Sequence, residues 1–192
     1  MRVAIFASGN GTNFEVLTKQ FQNHQLAGNV VLLFCDHPDA YVMKRAQRLN
    51  VPAFSWTVKE VGGKEAYEKR LLKLLQTQKI DLILLAGYLR VVGSTILDQY
   101  EGRIINLHPA WLPEYPGLHS IERAYRDRVS ETGVTVHFID RGLDTGPIIM
   151  QERVPIHSDD SLAELETRVH EVEHRLYPQA VKQVLSQLTT KE

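Results

Sequence analysis

The 192 residues suffice for one ample hydrophobic core or two small ones, and 43% hydrophobic against 23% charged residues is too apolar for a disordered chain. Its 22 basic and 23 acidic side chains leave a net charge of −1, without the basic excess expected of a protein that holds nucleic acid by counterion release. A lone cysteine excludes an internal disulfide and a Cys-rich metal site, and no apolar run approaches the length of a membrane span.

The chain accordingly reads as cytoplasmic, with neither nucleic acid nor membrane among its partners. Residues 3–7 are the first predicted strand, since a single charge before them and a glycine loop after them do not suit a signal peptide. Gly9 and Gly11 then turn the chain into a helix over 13–21. The apolar run 30–35 is the second strand, and Cys35 within it is expected to be a buried, inert thiol. A helix over 41–49 and a short strand at 53–55 follow. The next helix, 64–78, carries Tyr67, Leu71, Leu74 and Leu75 on one face.

A strand at 82–86, a short helix at 95–100 and strands at 104–107, 134–138 and 148–154 lead to the longest helix. Ser161 and Glu164 form a capping box at its start. Leu162, Leu165, Val169, Val172 and Leu176 mark its buried stripe, and Pro178 is expected to kink or interrupt it. Strands apolar at consecutive positions, alternating with helices, predict an α/β fold. The expected architecture is an open, mostly parallel twisted sheet, Rossmann-like in its N-terminal half, with helices on both faces and a single domain across 1–192. Ligands in such sheets bind beyond the carboxyl ends of strands, which directs attention to the loops after residues 7, 86 and 107.

Four segments carry residue types suited to chemistry. Ser8-Gly9-Asn10-Gly11-Thr12-Asn13 joins a strand to a helix. Phe14 replaces the third glycine of a dinucleotide fingerprint and no P-loop lysine follows, so the choice is between a phosphate-binding turn and a plain capped one. Asn106 and His108 lie two apart at a strand end and share a face, where an amide and an imidazole can stabilise an oxyanion and move a proton. The alternative is a structural histidine. Asp140-Arg141-Gly142-Leu143-Asp144-Thr145-Gly146-Pro147 is a turn whose aspartates either bond backbone amides or reach an imidazole. His170-Glu171-Val172-Glu173-His174 matches the zinc-peptidase pattern on a helix, without the downstream continuation that would supply a third ligand. His119 and His137 are further candidates, the latter better read as a hydrogen-bonded core histidine. His24, His37 and His157 receive no role.

Together with Leu85-Ala86-Gly87-Tyr88-Leu89-Arg90, Leu112-Pro113-Glu114-Tyr115-Pro116-Gly117 and Gly133-Val134-Thr135-Val136-His137-Phe138, these segments stand in the order of one family. The chain resembles the phosphoribosylglycinamide formyltransferases, folate-dependent enzymes of de novo purine biosynthesis, along nearly its whole length. The resemblance implies transfer of the formyl group of 10-formyltetrahydrofolate, a cosubstrate, to the amine of 5-phosphoribosylglycinamide. It implies direct amine attack through a tetrahedral intermediate stabilised by Asn106 and His108, with Asp144 supporting proton transfer and no metal.

By the same resemblance Asn10, Gly11, Thr12 and Asn13, with His170 and Glu173, would hold the phosphoribosyl substrate. Lys64, Leu89, Arg90, Val91, Val92 and Asn106, with Asp140, Arg141, Gly142, Leu143 and Asp144, would hold the folate. Small-molecule partners and a monomer or weak homodimer are expected. Lys64 and Ala110-Trp111 depart from the family's commoner arginine and Ser-Leu. The alternatives are a formyltetrahydrofolate hydrolase, whose relatives carry an additional domain, and more remotely a zinc metallopeptidase on His170 and His174.

Overall fold

The computed structural model describes residues 1–189. Its strands follow the order β3-β2-β1-β4-β5-β6-β7, and the chain divides into two compact units, Met1–Ile105 and Asn106–Glu192. The first holds β1 (Arg2–Ala7), α1 (Thr12–Gln22), β2 (Asn29–Cys35), α2 (Tyr41–Arg48), β3 (Ala53–Ser55), α3 (Lys64–Thr77), β4 (Leu82–Leu85) and α4 (Ser94–Leu97). Strand β1 pairs in parallel with β2 and β4, and β2 with β3. Val3 to Ala7 and Leu82 to Leu85 are buried at every position, which is why these strands read as unbroken apolar runs and not as alternation. Phe14, Leu17 and Phe21 bury one face of α1, and Tyr67, Leu71 and Leu75 one face of α3. Cys35 is buried and burial pushes its thiol up, in keeping with an inert role.

Strand β5 (Ile104–His108) begins in the first unit and ends in the second. The second unit continues with α5 (Ser120–Arg126), β6 (Glu131–Phe138), β7 (Ile148–Pro155) and α6 (Leu162–Thr189), and β6 pairs antiparallel with β7. The capping box at Ser161 forms: the Glu164 carboxylate accepts the Ser161 N–H at 2.8 Å, and the Ser161 hydroxyl accepts the Glu164 N–H at 3.3 Å.

Helix α6 continues through Pro178, so the proline does not interrupt it. A mid-helix proline costs ~3 kcal/mol, and burial of Tyr177, Ala180, Val181, Val184 and Leu185 around it offsets that cost. Helix α5 was not expected at all. It spans seven residues, too few for a 3.6-residue period to register, and is anchored by buried Ile121 and Ala124 and by the Ser120 hydroxyl donating to the Pro109 carbonyl at 3.0 Å. No described helix is long and apolar enough to cross a membrane.

Candidate functional site

In the first unit, the turn after β1 enters α1 through Gly11, whose φ of +80° is left-handed. A side chain there would also strike Val42, since a Cβ would fall 2.3 Å from its Cγ2. Gly11, the N-cap of α1, makes no side-chain cap hydrogen bond, and backbone amides at a helix start attract anions. Arg45 of α2 holds the turn in shape: its Nε donates to the Asn10 carbonyl at 2.8 Å and a terminal nitrogen to Asn10 Oδ1 at 2.5 Å.

Glu15 balances that charge, accepting from Lys19, Arg45 and Arg48. The Lys19 hydrogen bond first, and Arg45 next among the cations, hold its carboxyl down to about 2, from 4.5. A depressed folded value stabilises the fold above the unfolded value, and that stability is lost as pH falls through the folded one. The melting-temperature advantage of the natural protein over Glu15→Gln is thus expected to fade from about pH 4.5 to about pH 2. Calorimetric scans across that range check it; a gap constant in pH would refute it.

Also within the first unit, Phe6, Lys64, Tyr67, Glu68, Leu71, Ile96 and residues 88–92 surround a cavity of about 320 Å³. Lys64, Leu89, Arg90, Val91 and Val92, to which the family resemblance gives the folate, all line it. Leu89 and Val91 are exposed large apolar side chains, available to cover an aromatic ligand. Glu68 is buried and its carboxylate accepts the Gly93 N–H at 2.8 Å. Of the residues lining the cavity, Tyr67 and Tyr88 have hydroxyls 2.7 Å apart. Burial pushes the Tyr67 phenol up to about 12.

The second unit brings Asn106, His108 and Asp144 together. The Asp144 carboxylate is held by the Gly117 N–H, donated to Oδ2 at 2.7 Å, and His108 Nδ1 lies 3.5 Å from that oxygen. The other ring nitrogen, Nε2, donates to the Tyr115 carbonyl at 2.9 Å, which fixes a proton on it. Asn106 Nδ2 donates to His137 Nε2 at 3.2 Å, while His137 Nδ1 donates to the Phe138 carbonyl at 2.8 Å. These bonds require neutral His137 with its proton on Nδ1. Burial lowers its pKa in the same sense. His137 Nε2 also lies 3.7 Å from Asp144 Oδ1.

Asp144 itself adopts a φ of +55°, a left-handed conformation that Asn and Asp tolerate best. The turn that carries it admits only glycine at 146, where a Cβ would fall 1.9 Å from the Phe138 carbonyl oxygen. Asp140 organises this turn from its other end, accepting the Gly142 N–H at 2.9 Å and the Thr145 hydroxyl at 2.7 Å. Those bonds, Thr145 first, lower its pKa. Arg141 and Leu143 of the same turn are exposed.

On α6, His170 is exposed and its Nδ1 donates to the buried Glu173 at 2.8 Å, which raises the histidine pKa. Among the described residues no group of three or more His, Cys, Asp or Glu side chains is arranged to hold a metal. His119 is exposed and paired with Glu122 at 3.2 Å. Trp111 lies under the Arg153 guanidinium, 3.9 Å from the ring centroid.

Several residues of these clusters had no assigned role in the sequence. His137 was legible only as a core histidine, which it is, yet it also orients Asn106. Tyr115 and Gly117 act through backbone atoms, which sequence does not advertise. Tyr67, Glu68 and Tyr88 read as helix face and strand end.

The formyl transferase family model matches residues 1–181. The phosphoribosylglycinamide formyltransferase of Bacillus subtilis (strain 168) is 41% identical over 184 residues, 96% of this chain and 94% of its own. The crystal structure of phosphoribosylglycinamide formyltransferase from Bacillus halodurans matches with a TM-score of 0.94 at 48% identity, covering 98% of this chain and 97% of that one. The corresponding structure from Streptococcus pneumoniae TIGR4 matches with a TM-score of 0.90 at 48% identity, covering 95% and 98%.

Proposed function

The chain belongs to the formyl transferase family, and from that premise we propose that it transfers the formyl group of 10-formyltetrahydrofolate to the amine of 5-phosphoribosylglycinamide, a step of purine biosynthesis. The observation that carries this reading is the cluster of Asn106, His108, His137 and Asp144, in which two imidazoles face a single carboxylate and one of them also bonds the Asn106 amide.

As the amine attacks the formyl carbon, charge builds on the formyl oxygen, and donors aimed at that oxygen lower the barrier. Asn106 supplies one, its amide turned to a fixed orientation by His137. His108 supplies the other by exchanging the Tyr115 carbonyl for the developing oxyanion at Nε2. Asp144 stabilises the imidazolium and takes part in moving the amine proton to the departing folate nitrogen, through water. The step so described requires neither a covalent enzyme intermediate nor a metal ion.

The amides of residues 10–13 bind the ribose phosphate, and His170 with Glu173 contact the phosphoribosyl group. Lys64 and residues 89–92 bind the folate, as do Asn106 and residues 140–144. We read residues 1–192 as a single catalytic domain, on the ground that one family model spans 1–181. The protein is proposed to act in the cytoplasm, on small molecules and without nucleic acid, as a monomer or weak homodimer.

The decisive assay incubates the protein with 10-formyltetrahydrofolate, with and without phosphoribosylglycinamide, and follows loss of the formyl group. Loss that depends on the amine is expected. Equal loss without it would indicate a formyl-folate hydrolase instead.

A further inference from the structure

Under the loop that lines the first unit's cavity lies a buried polar pair with no assigned role. Ser8, at the end of β1, and Asp36, just beyond β2, are 6% and 4% exposed. The Ser8 hydroxyl donates to Asp36 Oδ1 at 2.6 Å and accepts the Leu89 N–H at 2.9 Å, while the Ser8 N–H donates to the Gly87 carbonyl at 3.0 Å. Asp36 has two further neighbours: His37 Nδ1 lies 3.0 Å from Oδ1, and an Arg90 guanidinium nitrogen 3.9 Å from Oδ2. Arg90 in turn lies over the Tyr67 ring, 5.4 Å from its centroid.

A buried carboxylate is costly unless its lone pairs are satisfied. Here Asp36 meets the loop over 87–90 twice, through Ser8 to Leu89 and directly at Arg90. Leu89 and Arg90 are cavity-lining residues. A slip of this backbone would move the cavity wall, and the Ser8 hydroxyl holds the Leu89 amide. We propose that Ser8 and Asp36 are positioning residues for the formyl-folate pocket, setting the backbone of its wall at Leu89 and Arg90 without touching the ligand. The proposal rests on the reading that this cavity takes the folate.

The test uses the full chain carrying Ser8→Ala, Asp36→Ala or Asp36→Asn. Each variant is titrated with 10-formyltetrahydrofolate alone and then assayed for KM of both substrates, kcat and melting temperature. Ser8→Ala leaves the Leu89 N–H and Asp36 each short of a partner, and Asp36→Ala leaves the Ser8 hydroxyl without its acceptor, so both are expected to weaken folate binding about tenfold. The KM for phosphoribosylglycinamide and kcat at saturating folate should stay within about twofold, the precision of such kinetic comparisons. Asp36→Asn keeps an acceptor for Ser8 and is expected to recover folate binding to within about threefold of the natural protein.

Folate binding unchanged in both alanine variants overturns the proposal, as does failure of Asp36→Asn to recover it. A purely structural role would instead lower the melting temperature and alter both KM values and kcat together, which also overturns it. If the natural protein itself does not bind 10-formyltetrahydrofolate, the assignment of the cavity falls first and the proposal falls with it. Those results are distinct from unaltered binding in the variants.

Discussion

Replacing His108 or Asp144 by alanine is expected to lower turnover by about 10²–10⁴-fold while both substrates still bind, because each removal takes away a group used chiefly in the transition state. The two substitutions act differently on the same cluster. His108→Ala removes the Nε2 donor and leaves the Tyr115 carbonyl without its partner. Asp144→Ala removes the carboxylate facing His108 Nδ1 and the acceptor of the Gly117 N–H, and it places alanine at a φ of +55°.

The second variant therefore combines a chemical loss with a conformational one, and Asp144→Asn separates them. Asparagine tolerates the left-handed conformation and keeps an acceptor for Gly117, but it carries no charge. A comparable loss of turnover in Asp144→Asn assigns the effect to the carboxylate. Single-turnover formyl transfer with saturating substrates, alongside calorimetric titration of each ligand, measures the two quantities independently. Near-normal turnover in folded His108→Ala or Asp144→Asn would remove the basis of the proposed mechanism.

Phe34→Ala is expected to destabilise the protein by about 3–5 kcal/mol, the range for deleting a fully buried phenylalanine. Phe34 is completely buried on β2. Its ring meets Phe6, Trp56, Tyr67 and Tyr88, with centroids 5.4, 4.7, 5.8 and 6.4 Å away, mostly edge to face. Neighbours belonging to several chain segments cannot all collapse into the space one ring leaves, so the cavity contribution should be near its upper range.

Set against a typical total of about 5–15 kcal/mol, this is a large fraction of the stability. Urea unfolding should show the midpoint falling with little change in slope. Phe34→Leu, which leaves a smaller void, should lose less. A loss below about 1 kcal/mol for Phe34→Ala would mean that the cluster packs loosely. Phe6, Tyr67 and Tyr88 also line the cavity assigned to folate, so this variant is expected to weaken folate binding as well.

Much of the fold was legible because its signals are local. Consecutive apolar residues mark β1, β2 and β4, a glycine turn marks the start of α1, a 3.6-residue spacing marks α3, and Ser161 with Glu164 marks the start of α6. Each is a rule about neighbours a few positions apart, and each holds in the structure. Strand β6 begins at Glu131, three residues before the apolar run suggested. Its polar first residues, Glu131 and Thr132, pair with Pro155 and Val154 of β7, and that partnership is invisible in either segment alone. The same limit hid α5, whose stability lies in what Ile121, Ala124 and Ser120 touch, and it made Pro178 look like a break.

The candidate site divides along the same line. Residue types at strand ends marked Asn106, His108 and the turn carrying Asp144 as groups worth examining, and the order of motifs connected them to formyl transfer. What the sequence by itself determined is therefore the alternation of strand and helix, the loops that carry chemistry and the family. Only the tertiary structure decided that Asp144 lies within 4 Å of two histidines, that His137 orients Asn106, and that Ser8 and Asp36 brace the loop over 87–90. The physical reason is that helix caps, glycine turns and apolar periods are short-range energies. Hydrogen bonds between residues tens of positions apart exist only after the chain has folded.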